Sequence, residues 1–255
     1  MTTLDLTPAP GAAPMLRMLS AQTAIELRLL VRRGESIVLL AVIPVLLLVA
    51  FSTTSVVDVD EGRRIDFLVP GILALAVLST AFTGQAIATG FERQYGVLKR
   101  LGATALPRSV LLLAKTLAVF CVELLQIAVI VGVGLALGWE PHGNPLAVLG
   151  LLLLGTAAFS GLGLLMAGTL RAEATLAGAN LVYVLLLGVG GVVFPLSKFP
   201  EGVRRVSEQL PITALSDGLR TVLRDGAGVS AHDWLVLGGW AVAALVAAAA
   251  TFRWE

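Results

Sequence analysis

The sequence predicts an all-α protein that crosses a membrane with six helices. Hydrophobic residues make up 57% and charged residues 14% of its 255 residues, whereas soluble domains carry about 25% charged residues. The mean hydropathy of the chain is +0.91. Six apolar runs also approach or exceed the roughly 20 residues that a helix needs to cross the hydrocarbon core. These three observations indicate a multi-pass membrane protein.

Two segments precede the first predicted span. Residues 1–14 have no basic stretch leading into an apolar run, so we interpret them as a disordered tail and not as a signal peptide. Residues 15–36 predict an interfacial helix, because apolar residues such as Ile25 share one face while Arg17 and Arg28 project from another. The alternative is that this helix extends the first span.

The apolar runs set the bounds of the predicted spans. The six spans are 37–57, 67–91, 110–138, 146–170, 176–196 and 233–252. Pro44 lies inside the first, where a membrane helix tolerates proline. The chain 1–255 is predicted to form one transmembrane domain, with short turns between most spans.

The longest loop, residues 197–231, contains two short amphipathic stretches. Their apolar residues are Val203, Val206 and Leu210 in the first and Leu215, Leu219 and Val222 in the second. Each stretch is too short to cross the bilayer. They can lie in the interface, or enter the membrane and return where other protein covers them. The sequence therefore predicts an interfacial or re-entrant helix pair.

Six spans put both termini on the same side of the membrane, and the basic residues indicate which side. With the termini inside, ten Lys and Arg residues lie in cytoplasmic segments and seven in outer ones. The cytoplasmic residues are Arg17, Arg28, Arg32, Arg33, Arg93, Lys99, Arg100, Arg108, Arg171 and Arg253; the outer ones are Arg63, Arg64, Lys198, Arg204, Arg205, Arg220 and Arg224. This excess predicts cytoplasmic termini. We expect the chain in the cell inner (plasma) membrane.

The segment Glu92–Ser109 is short, mostly polar and net basic, and it lies between the second and third spans. Four apolar residues recur at helical spacing and so share one side of a helix. They are Phe91, Tyr95, Leu98 and Leu101. The other side contains Glu92, Arg93, Lys99 and Arg100, with Gly96 near it. An amphipathic helix that contacts a soluble partner and an ordinary charged loop are equal alternatives on these residues alone.

The stretch E-R-Q-Y-G-V-L-K-R-L-G-A-T-A-L-P-R resembles the loop after the second span of ABC type-2 exporter permeases. That loop commonly reads E-R-E-x-G-T-L-x-x-L-x-x-T-P. The matching residues are Glu92, Arg93, Gly96, Leu98, Leu101 and Thr104. Gln94, Val97 and Ala105 depart from the pattern, and the proline stands two places later as Pro107. The resemblance extends over essentially the whole chain.

The resemblance implies the membrane subunit of an ATP-driven exporter, which works as a homodimer or heterodimer with separate ABC ATPase subunits. ATP and Mg would bind to those partners. It also implies that Glu92–Thr104 is a coupling helix seated in a groove of the ATPase. Tyr95, Leu98 and Leu101 would fasten this helix to the membrane domain, while Arg93, Lys99 and Arg100 would meet the partner. The resemblance further favours a re-entrant outer helix pair.

Several kinds of chemistry are absent from the sequence. It has no G-x-x-x-x-G-K-[ST] phosphate loop, so ATP is not expected to bind this chain. No His and Cys cluster has metal-ligand spacing, and no nucleophile has a recognisable base beside it. No basic tract suggests nucleic acid. We therefore expect a non-enzymatic chain without catalytic residues, metal or cofactor, surrounded by membrane lipid.

Three polar residues lie in the third predicted span. Lys115 is close enough to the cytoplasmic start to snorkel to the surface. Glu123 lies eight residues deeper, roughly 12 Å at 1.5 Å per residue, where an exposed charge costs several kcal/mol. It must face protein or water, or be protonated, and Gln126 lies on the same side. This pair either lines the substrate route or the dimer seam, or makes an interhelical hydrogen bond that fixes packing.

The substrate class follows only partly from the residues. The compact outer loops suit a small amphiphilic drug, antibiotic or lipid at least as well as a polysaccharide or lipid-linked glycan. An ATP-independent secondary transporter, with Lys115 and Glu123 as ion-coupling groups, is an alternative. Against it, one span alone contains internal charge and the two halves show no inverted repeat. A membrane scaffold that transports nothing is the third possibility.

Overall fold

The computed structural model describes residues 13–32, 34–53, 63–193 and 196–253, and for 34–41 and 53 it describes the backbone alone. Helices make up 83% of the structure, and no strand occurs in the described residues. The all-α prediction is therefore confirmed. The predicted disordered tail lies outside the described residues, apart from residues 13 and 14.

The helices follow one another with short connections. They are α1 (Met15–Arg32), α2 (Gly34–Thr53), α3 (Arg64–Val77), α4 (Gln85–Gln94), α5 (Val97–Gly102), α6 (Arg108–Ala136), α7 (Pro145–Thr169), α8 (Ala172–Val189), α9 (Glu201–Ser207), α10 (Pro211–Leu223) and α11 (Ala231–Thr251). A π-helical segment, Leu78–Gly84, joins α3 to α4 without interruption, and a 3-10 turn, Leu196–Lys198, precedes α9.

Five helices are long and apolar enough to cross a membrane: Arg64–Gln94, Arg108–Ala136, Pro145–Thr169, Ala172–Val189 and Ala231–Thr251. They coincide with the second to sixth predicted spans. For the first, the described residues contain α2 and, within it, the shorter apolar helix Val42–Ser52. Residues 54–57 lie outside the described residues, so the sixth crossing stays a prediction.

The continuous helix Arg64–Gln94 forms the centre of the bundle. In its most apolar stretch of 18 residues, 89% of the residues are buried, whereas the corresponding stretches of α11 and α8 are 22% and 17% buried. α7 packs along α11 and against α4, and α1 packs along α6. Small residues permit these close approaches. At Gly161 of α7, for example, a Cβ atom would lie 2.8 Å from the Cβ of Ala244 on α11.

Two of the predicted boundaries differ from the structure. α8 ends at Val189, seven residues before the predicted end of its span, because the chain turns at Gly191, whose φ is +68°. Only glycine adopts that backbone conformation without strain. The predicted interfacial helix 15–36 is also shorter, since α1 ends at Arg32 and α2 already begins at Gly34.

The predicted pair of short helices is present as α9 and α10. α9 is exposed over most of its length, whereas α10 is almost entirely buried against α3, α7 and α11. Arg220 fixes α10 in place: its guanidinium donates hydrogen bonds to the carbonyl oxygens of Gly191 (2.8 Å) and Val192 (2.7 Å). The same group lies over the Phe67 ring, 3.8 Å from its centre. α10 is thus part of the core of the bundle.

Candidate functional site

The segment Glu92–Thr104 is not one helix, which corrects the sequence-based prediction. α4 ends at Gln94, Tyr95 and Gly96 form a turn, and α5 begins at Val97. Gly96 has a φ of +70°, a left-handed conformation that favours glycine. This turn changes the direction of the chain, so the residues before and after it do not share one helical face.

The apolar residues of the segment separate as a result. Leu98 is fully buried in a small cluster with Leu111 and Leu112 of α6, and Leu101 packs against the same cluster. Both therefore fasten α5 to the membrane domain, as expected. Tyr95 does not, because its side chain is 71% exposed. Its ring stacks on Phe91 of the preceding helix α4, with 6.1 Å between the ring centres, and is not part of the cluster around Leu98. The prediction that Tyr95 fastens α5 is therefore wrong.

The charged residues also divide into two groups. Lys99 and Arg100 are exposed on α5, where a partner can reach them. Glu92 and Arg93 are turned toward the protein: Glu92 pairs with Lys115, and Arg93 Nη2 donates a hydrogen bond to the carbonyl of Leu170. The predicted common polar face of Glu92, Arg93, Lys99 and Arg100 is therefore wrong for its first two members.

Thr104 closes the segment. Its hydroxyl donates a hydrogen bond to the carbonyl of Leu101 (2.6 Å) and accepts one from the Leu106 N–H (3.4 Å). Side-chain hydroxyls satisfy the backbone groups left open at helix ends in this way. Thr104 thus shapes the turn between α5 and Pro107, the residue before α6, while the residue itself stays exposed.

A buried ion triplet, Glu26–Lys115–Glu92, joins three helices. Lys115 Nζ of α6 lies 2.6 Å from Glu92 Oε2 of α4 and 2.9 Å from Glu26 Oε2 of α1. The exposed fraction of the side chain is 4% for Lys115, 13% for Glu92 and 9% for Glu26. Gln22 Nε2 donates a further hydrogen bond to Glu26 Oε1 (2.8 Å). A buried charge is tolerated when it is paired and hydrogen-bonded.

The triplet corrects the expectation that Lys115 snorkels to the membrane surface. Two carboxylates compensate its charge inside the protein, so its side chain does not have to reach water. Sequence reasoning missed Glu26. One feature of the sequence could have indicated it. Glu26 stands two positions before Arg28, and two positions separate side chains by about 200° around a helix, so Glu26 lies on the face of α1 opposite Arg28.

A cleft of about 360 Å³ lies between the end of α4 and the turn from α7 to α8. Its lining residues are Gly90, Arg93, Gln94, Arg171, Ala172 and Glu173. Gln94 Nε2 donates a hydrogen bond to Glu173 Oε1 (2.7 Å) across it. The sequence predicts only a short turn between the fourth and fifth spans at this place, since local polarity does not reveal which distant segment a turn contacts.

The polar residues deep in the third predicted span face the interior of the subunit. Glu123 is 1% exposed and Gln126 is 4% exposed. Glu123 Oε2 accepts a hydrogen bond from the hydroxyl of Thr156 on α7, and Gln126 Oε1 accepts one from Thr80 (2.9 Å) in the π-helical segment. These are the interhelical hydrogen bonds of the packing alternative, and neither residue lies on an exposed face.

The same layer of the bundle contains further buried polar groups. The Ser160 hydroxyl donates to Gln85 Oε1 (2.8 Å) and lies 2.6 Å from the Thr116 hydroxyl. Within the described residues, Glu123 Oε1 and Gln85 Nε2 have no hydrogen-bond partner. The layer coincides with the π-helical segment, and π-helical turns are frequent at functional sites.

Thr156 contacts two acceptors with one hydroxyl. Its Oγ1 is within hydrogen-bond distance of both Glu123 Oε2 and the Leu152 carbonyl (2.8 Å). A hydroxyl has a single hydrogen, so it can donate to one of them at a time. A Glu123 carboxyl that carries a proton would complete both contacts.

In the part of the chain that the structure describes, no group of three His, Cys, Asp or Glu residues could hold a metal ion.

A family model, described as ABC-2 type transporter, matches residues 19–223. The match begins inside α1, includes the Glu92–Thr104 segment and ends at the last residue of α10. A comparison with curated proteins found no match.

Proposed function

The chain belongs to the ABC-2 type transporter family, and we propose that it is the permease subunit of an ATP-driven exporter for a hydrophobic or amphiphilic substrate. The substrate would be a drug, an antibiotic or a lipid that leaves the cytoplasm. A separate ABC ATPase subunit would bind ATP and Mg. Two permease subunits, identical or similar, would enclose the route in the inner membrane, with their termini in the cytoplasm.

The observation that supports this proposal best is the placement of α5. Its buried residue, Leu98, fixes the helix to α6, while Lys99 and Arg100 remain exposed on its other side. α5 is a separate short helix at the end of the bundle, so an ATPase can reach it from outside the spans. A basic surface of this kind favours a partner groove with acidic residues.

The ion triplet gives a physical route from α5 into the spans. Glu92 stands at the end of the central helix, just before the turn that leads to α5, and Lys115 connects it to α6 and α1. Breaking a buried ion pair by removing one partner costs several kcal/mol. A displacement of α5 would therefore move α1, α4 and α6 together. We propose that closure of the two ATPase subunits reorients the spans through this connection.

The proposed substrate class is supported by the end of the bundle that we expect on the outer side of the membrane. There, α9 is short, α10 is buried in the bundle, and the connections around them are compact. In the described residues this leaves little surface for handling a long polymer, which favours a small amphiphile over a polysaccharide or a lipid-linked glycan.

Copurification from native membranes in a mild detergent tests the proposal. The wild type is compared with a Lys99→Glu, Arg100→Glu variant, in which α5 becomes acidic. An Arg204→Glu, Arg205→Glu variant makes the same charge change on exposed α9, at the opposite end of the bundle, and is the matched control. We expect an ATPase to copurify with the wild type and the control and to be lost from the α5 variant.

The other outcomes contradict different parts of the proposal. If the α5 variant retains the ATPase, α5 is not the contact. If no ATPase copurifies with the wild type in several detergents, the secondary transporter or the scaffold becomes the better interpretation. For a secondary transporter, Lys115 and Glu123 would have to exchange ions, although Lys115 is paired with two carboxylates in the structure.

A further inference from the structure

We propose that the cleft beside α4 is a binding site for the phosphate group of an anionic phospholipid. The cleft of about 360 Å³ is lined by Arg93 on one side and Arg171 on the other. Arg253, which follows α11, is near enough for its positive charge to act on the Arg93 guanidinium, although it does not line the cleft. Two arginines from separate parts of the chain therefore line the cleft, and a third lies in its surroundings.

The charge around the cleft is unbalanced. Glu173 is the one acidic residue of its lining, and its carboxylate already accepts a hydrogen bond from Gln94 and interacts with Arg171. Arg93 donates to a neutral carbonyl, that of Leu170, and forms no ion pair in the described residues. The lining thus has one positive charge in excess, from Arg93 and Arg171 against Glu173, and Arg253 nearby adds to it. An anion can neutralise this charge.

The backbone adds to this preference. α8 begins at Ala172, which lines the cleft, and it continues for 18 residues. The amino-terminal end of a helix has a partial positive charge and N–H groups without helical partners, so it attracts anions such as phosphate. The Glu173 carboxylate already accepts a hydrogen bond from its own backbone N–H, so a phosphate would use the remaining N–H groups of this end. Guanidinium groups bind phosphate oxygens with paired hydrogen bonds, which makes arginine well suited to this ligand.

The position of the cleft favours a lipid as the source of the phosphate. It lies where α4 ends and α8 begins, close to the end of α11, which is the expected level of the lipid headgroups. Leu170 and Leu176 beside it are 40% and 38% exposed, and the outer face of α8 continues with exposed apolar residues such as Leu181. An acyl chain can lie along this face while its headgroup occupies the cleft. Basic pockets between membrane helices bind anionic lipid headgroups in this manner.

The site would also affect the neighbouring segment. Arg93 follows Glu92 of the ion triplet, and its side chain connects α4 to the turn between α7 and α8. A bound phosphate would hold α4, α8 and the end of α11 together. This proposal does not rest on the proposed transport function, because the site would bind the lipid in a chain without any ATPase.

Native mass spectrometry of the purified chain tests it, with phosphatidylglycerol and phosphatidylcholine offered separately in detergent. We expect the wild type to retain phosphatidylglycerol roughly tenfold better than phosphatidylcholine. The Arg171→Gln, Arg253→Gln variant should lose this preference. Both side chains are exposed, so the core stays intact. The Arg204→Gln, Arg205→Gln variant removes two charges from α9 and should behave like the wild type.

Two results would overturn the assignment. Equal retention of phosphatidylglycerol by the wild type and the Arg171→Gln, Arg253→Gln variant would show that the cleft is not the site. Displacement of the lipid by inorganic phosphate would assign the cleft to a soluble phosphate compound instead. Retained lipid in the presence of inorganic phosphate supports the proposal, since the acyl chain then contributes to binding.

Discussion

Lys115 illustrates how a charged side chain fits inside a membrane protein. Its ammonium group lies within 3 Å of a carboxylate from α1 and of another from α4. The remaining oxygen of Glu26 accepts a hydrogen bond from Gln22, so the group is compensated by charge and by hydrogen bonding. Glu26 and Glu92 stand 89 and 23 positions from Lys115 in the sequence. The triplet is therefore a product of helix packing.

We expect Lys115→Met to destabilise the subunit strongly, because it leaves Glu26 and Glu92 buried without a counter-charge. Removing one partner of a buried ion pair typically costs about 3–5 kcal/mol. The measurement is the midpoint of thermal unfolding of the purified chain in detergent. Glu26→Gln is the matched control, since the amide can still accept from Lys115. A Lys115→Met midpoint as high as that of the control would show that the triplet contributes little.

Glu123 gives a second prediction at this scale. In Glu123→Gln an uncharged side chain of the same shape replaces the carboxyl and can still accept from Thr156. We expect normal protein level and export within about twofold of the wild type if the residue fixes packing through a hydrogen bond. Glu123→Leu should lower the protein level, because it removes the hydrogen bond between α6 and α7 and leaves the Thr156 hydroxyl with the Leu152 carbonyl of its own helix. Export of a fluorescent amphiphile and immunoblotting measure the two quantities.

A different result for Glu123 would change its interpretation. If Glu123→Gln is present at the normal level and export fails, the ionised carboxylate is needed, and the substrate-route alternative becomes the better one.

At the scale of elements, glycines decide where helices end and how closely they pack. Gly96 separates α4 from α5, and at Gly191 the chain turns away from the direction of α8. Gly161 has another role: a Cβ atom there would lie 2.8 Å from both the Ala244 Cβ and the Leu245 backbone nitrogen. The contact between α7 and α11 therefore depends on the missing side chain.

We expect Gly161→Val to separate α7 from α11 and to destabilise the bundle. Overpacking of a tight contact typically costs about 1–3 kcal/mol. Gly132→Val on α6 is the control, because a Cβ atom there meets nothing within 4 Å. Both variants are compared by the amount of folded protein after extraction, using size-exclusion chromatography. An equal loss for the two would contradict a specific role for the contact.

At the scale of the whole molecule, burial is distributed unevenly among the spans. The central helix is covered on all sides, whereas α8 and α11 keep large apolar side chains exposed. An exposed apolar face is stable against lipid or against a second permease subunit. The exposed basic helix α5 and the exposed helix α9 lie at opposite ends of this bundle, which makes its orientation measurable.

Labelling of single cysteines with a membrane-impermeant maleimide determines that orientation. In a Cys121→Ala background, we expect the Arg205→Cys variant to react in intact cells. The Arg100→Cys variant should react only after the membrane is permeabilised, because α5 is expected in the cytoplasm. The reverse pattern would contradict both the cytoplasmic termini and the proposed ATPase contact at α5.

Sequence patterns were sufficient for the properties that depend on local chemistry. A helix in lipid must satisfy its backbone hydrogen bonds within itself and present about 20 apolar residues, so five of the spans could be located from hydropathy alone. The family of the chain was also readable, because the residues from Glu92 to Thr104 stand next to one another. The burial of Leu98 followed from the same local spacing.

Only the tertiary structure decided which residues meet between helices. The partners of Lys115 and Glu123, the burial of α10 and the cleft between α4 and α8 depend on how each helix is rotated and how far it is shifted along its axis. Sequence periodicity gives the faces of a helix but does not say which neighbour each face contacts. The predicted positions of Tyr95 and Arg93 were wrong for a related reason. The turn at Gly96 interrupts the helix, and the spacing of residues does not reveal such an interruption.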